Sequence, residues 1–207
     1  GRALHSQGLA FAHAVANFCH FRWIGFIDVD EFLFPTEAVS LTDALAELDH
    51  ADNIYLPWQM FGRQGYAKTP NVILPSYMLR YRDPSESPVK GLFNFKCIVN
   101  PAKVTRAYVH GFLTSGDTQI WNSRGQSFQQ GTHRTKAFTK NPTMRLNHYY
   151  AKSDAQLAEK IAKGSIGASQ FTRAFKSFGG RKDLLTRRVE EIDRDVVEDR
   201  GIIDYCQ

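Results

Sequence analysis

Trp23-Ile24-Gly25-Phe26-Ile27-Asp28-Val29-Asp30-Glu31-Phe32-Leu33 is the stretch on which the reading of this 207-residue chain turns. Its first five residues form a continuous apolar run, too short for a helix between its flanks. That is the pattern of a strand buried on both faces, as in a mostly parallel sheet. The run then ends in acids. In an open α/β sheet, ligands bind outside the carboxyl ends of strands, and carboxylates placed there reach a hard cation that bridges diphosphate oxygens. If the chain stays extended, Asp28 and Asp30 point the same way and hold one ion, while Val29 turns into the core. Glu31 either ligates through water or fixes the turn that buries Phe32 and Phe34.

A second triplet of the same form, Asp193-Arg194-Asp195, supplies a control. It lies inside a helical pattern, where residues two apart do not share a face, and reads as solvated helix surface.

Outward from the acidic stretch, residues 4 to 20 place Leu4, Phe11, Val15 and Phe18 at helical spacing, predicting an amphipathic helix. After Pro35, Ser40 caps a helix with Asp43 at its third position and Leu41, Leu45 and Leu48 as its buried stripe. Ile54 to Trp58, Val72 to Tyr81, Phe95 to Val99, Val104 to Val109 and Leu146 to Tyr150 read as strands. Residues 111 to 143 are rich in Gly, Thr, Ser, Gln and Asn and read as loops around a site. Ser153 caps a helix to about Lys163, with Asp154 as its first-turn acid. Leu185, Val189, Ile192 and Val196 mark a last amphipathic helix. The expectation is an α/β fold in one domain over residues 1–207, with 165–207 a C-terminal helical segment. The chain opens on Gly1-Arg2 directly in a helical pattern, so an upstream segment is expected.

Composition narrows the function. A formal charge of +5 and pI near 9.1 are mild, and the basic residues are spread out, so nucleic acid is not implied. Cys19, Cys97 and Cys206 form no CxxC pair, which argues against a zinc site or a disulfide framework and for a reducing, cytoplasmic setting. No stretch approaches the roughly 18 apolar residues of a membrane helix, although peripheral membrane association is compatible with the charge. The GxSxG elbow, the P-loop and the dinucleotide fingerprint are absent.

Several blocks in order carry a resemblance: WIGFIDVDEFLFP; Trp58 followed by Phe61-Gly62; Phe95-Lys96-Cys97-Ile98-Val99 with Pro101 and His110; and Asn147-His148-Tyr149-Tyr150 leading to Lys152-Ser153. From about Gln7 to Gly164 the chain resembles glycosyltransferase family 92 and its bacterial relatives in the glycosyltransferase 2-like group, once called DUF23. The resemblance implies a GT-A fold lacking its N-terminal βα units, a UDP-linked sugar donor, a Mn2+ or Mg2+ ion, and inverting transfer to a glycan or lipid-linked acceptor.

The remaining candidates follow from chemistry. His148, beside two tyrosines, completes the metal sphere or meets a phosphate oxygen, and His110 has the same two options. Each is otherwise a structural histidine. Lys96 interrupts an apolar strand, so it either snorkels to water or meets an anion such as a diphosphate. Trp58, Phe61 and Tyr66 surround Gly62 and Gly65 and either stack a sugar or fill the core. Inverting transfer needs a carboxylate base, for which Asp117 is the first choice, with Asp83 and Glu86 behind it. A metal-dependent phosphoesterase or nucleotidyltransferase and a non-catalytic glycan-binding module are the competing readings.

Overall fold

The computed structural model describes residues 6–89, 91–115, 119–163 and 178–207. These divide into two compact units, Gly1–Trp58 with Phe93–Leu146, and Gln59–Leu92 with Asn147–Gln207. The chain passes from one to the other at residues 58/59, 92/93 and 146/147, in the middle of apolar segments. No linker marks the division, and none is legible in the sequence.

In the first unit, β1 (Ile24–Phe26), β5 (Phe95–Val99) and β3 (Asn53–Phe61) lie side by side. β1 runs antiparallel to β5 with Phe26 opposite Cys97, and β5 antiparallel to β3 with Lys96 opposite Leu56. The order continues from β3 to β10 (Met144–Tyr149) and β2 (Glu31–Pro35). β8 (Gln119–Trp121) joins β3 in parallel at Ile54 and carries β9 (Ser127–Gln129) as a hairpin. A separate hairpin pairs β6 (Val104–Tyr108) with β7 (Gly111–Thr114).

The α/β class holds, with helices flanking a mixed sheet. The mostly parallel expectation does not: among the described residues β1–β5, β3–β5, β3–β4, β4–β11, β6–β7 and β8–β9 pair antiparallel, and β3–β8 pairs parallel. A central antiparallel strand covered on both faces is as continuously apolar as a parallel one, so the runs at 54–58 and 95–99 do not distinguish the two. β1 also departs from expectation. It ends the strand order, and Gly25 and Ile27 are exposed. The Val72 to Tyr81 segment is strand only at β4 (Leu79–Tyr81), because the chain around Pro75 forms a 3-10 turn at Leu74–Ser76.

β5 is buried along its whole length. Phe95, Cys97 and Val99 point to one face, where they pack with Tyr55, Phe26, Phe112, Ile120 and Phe138. Helix α1 (Ser6–Asn17) lays Phe11 on Phe26, with ring centroids 4.5 Å apart, and adds Val15 to this core. Phe18, expected on the same stripe, is exposed past the helix end. By strand alternation Lys96 projects from the other face. In α2 (Leu41–Ala46), Ser40 accepts from the Asp43 amide at 3.2 Å, and Ala44 is buried with Leu48 beyond the helix end, while Leu41 and Leu45 are only half-buried. The loop-rich 111–143 region holds β7, β8, β9 and the four-residue helix α3 (Lys136–Thr139).

In the second unit, the end of β3 pairs with β4 (Phe61 opposite Arg80), and β4 pairs with β11 (Val196–Glu198). Helix α4 (Asp154–Lys163), capped by Ser153, packs Leu157 against Leu185 and Val189 of α5 (Phe178–Arg194). A short α6 (Gly201–Tyr205) follows, so the C-terminal segment, expected to be helical, also supplies the strand β11, which takes up Val196. Arg63 ties the unit together through Asp193 at 2.9 Å and Asp154 at 2.6 Å. Gly62 suits this spot, since a Cβ would lie 1.9 Å from Asp193 Oδ1 and push aside the carboxylate that holds Arg63. Among the described residues no helix is long and apolar enough to cross a membrane.

Candidate active site

The acidic stretch is a turn rather than a strand end. The Glu31 amide donates to the Asp28 carbonyl at 3.1 Å, closing a four-residue β-turn. The Glu31 carboxylate returns the contact by accepting from the Asp28 amide at 2.9 Å. Alternation therefore does not apply across Asp28, Val29 and Asp30, and Val29, expected in the core, is fully exposed at the turn tip. Of the two roles considered for Glu31, the structure shows the turn-fixing one.

The β1–β5 register carries Asp28 past Phe26 and Cys97 to the Phe95–Lys96 step. There its two oxygens are held separately. Gln7, from the first turn of α1, donates to Oδ1 at 2.9 Å, and the Lys96 ammonium lies 2.9 Å from Oδ2. The Lys96 side chain is only 1% exposed against 37% for Asp28, so the anion this lysine meets is Asp28. Gln7 went unnoticed in the sequence, yet it stands four residues before Phe11 and so on the face that α1 buries.

Trp58 sits one step beyond the β3–β5 ladder, its amide donating to the Asn94 carbonyl at 3.0 Å. Its indole is buried between two partners. On one side it lies by the Glu31 carboxylate, and on the other His110 packs edge-on at 5.5 Å. Burial raises the Glu31 carboxyl to about 7, against the opposing pull of the Asp28 amide and Lys96. His110 occupies the tight β6–β7 turn with Nδ1 3.1 Å from the Phe95 carbonyl. Desolvation of the ring lowers its pKa, opposed by that hydrogen bond.

One unit thus brings together Asp28, Glu31, Trp58, Lys96 and His110, with Gln7 behind them. His148 belongs to the other unit, on β10, where it is buried with its ring edge-on to Tyr150 at 5.4 Å. In that unit Phe61 is a core aromatic stacked on Tyr149 at 4.8 Å, and Tyr66 packs edge-on to Tyr77 at 5.4 Å. Asp83 caps its own 3-10 turn by accepting from the Ser85 amide at 2.9 Å, with Glu86 in the same turn. Asp117 lies outside the described residues. Among the described residues, no three His, Cys, Asp or Glu side chains gather to hold a metal ion.

Comparison with known families decides what this cluster belongs to. The sequence model of glycosyltransferase family 92 matches residues 2–183, most of the chain. The chain belongs to glycosyltransferase family 92. No curated protein matches it. Membership makes the chain a glycosyltransferase, with a sugar donor and a glycan acceptor as its general partners. The match takes in the whole Asp28–Lys96–His110 cluster and also the His148 segment. The second acidic triplet at 193–195 lies beyond it.

Proposed function

We propose that this family 92 chain moves a hexose from a UDP-linked donor to a hydroxyl of a glycan or lipid-linked acceptor, with inversion at the anomeric carbon, on a GT-A-like framework. The observation that carries the reading is Asp28, a part-exposed carboxylate fixed at both oxygens beside a buried ammonium. Such a group is preorganised toward a ligand, and it lies within the stretch the family model matches.

Asp28 and Asp30 are hard oxygen donors, suited to Mg2+ or Mn2+. Two carboxylates without a third protein ligand match the way magnesium is held, by one or two carboxylates plus substrate phosphates and water. The donor chemistry of the two acids suits a cation whose remaining positions the diphosphate would complete. When bound, that ion would neutralise the charge gathering on the departing diphosphate. The chain's own residues do the positioning: Gln7 and Lys96 fix the Asp28 carboxylate, and Glu31 fixes the turn that contains Asp30. Asp117 remains a proposed base.

Two other readings are less well supported. A two-metal phosphoesterase gathers more carboxylates and histidines than the described residues bring together. A glycan-binding module without turnover has no use for an acid pinned to a buried lysine.

The test is UDP binding by calorimetry with and without Mn2+, on the wild type, on Asp30→Ala, and on Asp28→Ala/Lys96→Met, which removes the ion pair as a unit. Metal-dependent binding lost in both variants is the expected result. Binding indifferent to metal and to both changes would sink the nucleotide-sugar mechanism.

A further inference from the structure

Within the proposed sugar transfer, the acceptor hydroxyl must lose a proton as it attacks. We infer that His110 receives that proton at Nε2. The inference rests on the glycosyltransferase reading above and goes beyond it by naming a group other than a carboxylate as the base.

Three observations converge. The first is the tautomer. Nδ1 lies 3.1 Å from the Phe95 carbonyl, and a carbonyl oxygen only accepts, so the ring proton is on Nδ1 and Nε2 carries the lone pair. The second is placement. The Phe95 carbonyl that orients His110 and the Lys96 ammonium that holds Asp28 belong to consecutive residues of β5, and the ring also packs on Trp58, which lies by Glu31. The imidazole is thus anchored to the same framework as the acidic turn. The third is access. His110 reaches solvent from its turn while its ring is partly covered, whereas Glu31 is buried and engaged and Asp28 is held by Lys96 and Gln7.

The electrostatics agree with this geometry. The charged groups facing the ring are Lys96 from β5, Asp28 from the turn after β1, and Arg134 from the segment before α3; the Cys97 thiol is 4.0 Å from the His110 carbonyl. Desolvation and the two cations lower the pKa, outweighing Asp28 and the Phe95 carbonyl. The ring is therefore neutral near pH 7, as a base must be.

In the step itself, Nε2 takes the hydroxyl proton while the acceptor oxygen forms a bond to the anomeric carbon. The bond from that carbon to the diphosphate oxygen breaks, and its electron pair leaves with the nucleoside diphosphate. The resulting imidazolium is stabilised by the Phe95 carbonyl and passes its proton to water, the role a buried partner plays for histidine in hydrolase triads.

His110→Asn is the discriminating variant, because the Asn amide can still donate to the Phe95 carbonyl while offering no Nε2 lone pair. With UDP-glucose, UDP-galactose and UDP-N-acetylglucosamine as donors and UDP release as the readout, kcat is expected to fall about 100-fold or more. Mn2+-dependent UDP affinity should stay at the wild-type value, and the acidic limb of the kcat/KM profile should disappear. A variant within threefold of wild type, or loss of that limb in Asp117→Asn instead, overturns the inference while leaving the glycosyltransferase reading intact. Long-range 1H–15N spectra of the wild type give an answer that needs no turnover: an Nδ1–H tautomer is expected, and an Nε2–H tautomer overturns the inference. If the wild type binds no UDP with Mn2+, the parent reading falls and this one with it.

Discussion

The chain carries two Asp-x-Asp triplets, and both are salt-bridged, yet they are built differently. Asp193 in the last turn of helix α5 and Asp195 just past its end face Arg63 and Arg82, whose side chains are 25% and 58% exposed. Asp28 faces Lys96, which is 1% exposed, from a turn that its own neighbour Glu31 clasps. Both acids of the helical triplet therefore have partners that water can replace. Asp28 has one that it cannot. The difference lies in where the cation sits, and it separates a more exposed ion pair from a carboxylate fixed by a buried ammonium.

The largest effect expected from this contrast is on stability. Asp28→Ala leaves the Lys96 ammonium buried without its counterion, which costs about 3 kcal/mol in urea or thermal unfolding. Asp193→Ala leaves Arg63 with Asp154 and with solvent, and is expected to cost about 1 kcal/mol. Adding Lys96→Met to Asp28→Ala should restore most of the loss, since no buried charge then remains. Equal costs for the two alanine variants would show that burial of the cation is not what distinguishes the triplets.

How much of this was legible follows the range of each interaction. The caps at Ser40 and Ser153, the strand Phe95–Val99 and the Leu185, Val189, Ile192 stripe are local patterns, and each appears where the spacing places it. That Asp193 and Arg194 are helical was also readable, from the 3.6-residue period around them, but the helix ends before Asp195 and Asp193 is half-buried against Arg63. The Asp28 turn was half readable. The acids and their importance stood out, but alternation was applied across a β-turn, and the favoured Asp at the first turn position was the overlooked signal. What could not be read is the pairing of Asp28 with Lys96. It depends on β1 and β5 being antiparallel neighbours, and strand order is not encoded in either segment alone. The edge position of β1 was hidden for the same reason, as was His110's bond to Phe95, which the β6–β7 turn brings about.

The next effect belongs to Glu31 and is seen as pH dependence. Its folded pKa of about 7 lies above the unfolded value near 4.3, so the folded state binds the proton more tightly. The stability this contributes is complete below about pH 4 and is lost as pH rises through 7, to a total on the order of 3 kcal/mol. Glu31→Gln keeps the shape of the clasp without a titrating group. Urea midpoints measured in the absence of divalent cation should fall between pH 4.5 and 7.5 for the wild type and flatten in the variant. The same slope in both proteins would rule out Glu31 as the source. The helical triplet offers a control, since Asp193→Asn is expected to leave this slope unchanged.

The smallest effect is the most exposed pair. Arg82 and Asp195 meet at 3.0 Å with about half of each side chain in water, so their attraction is screened and opposed by the entropy of holding two long side chains together. Arg82→Ala is expected to change stability by less than about 0.5 kcal/mol. The strand partner does not depend on it, because the Arg82 amide bonds the Asp195 carbonyl at 2.9 Å through backbone alone. A loss above about 1 kcal/mol would mean that this acid is held as firmly as Asp28. The contrast between the triplets would then rest on their positions in the fold, a turn after β1 against a helix end, and no longer on the burial of the partner cation.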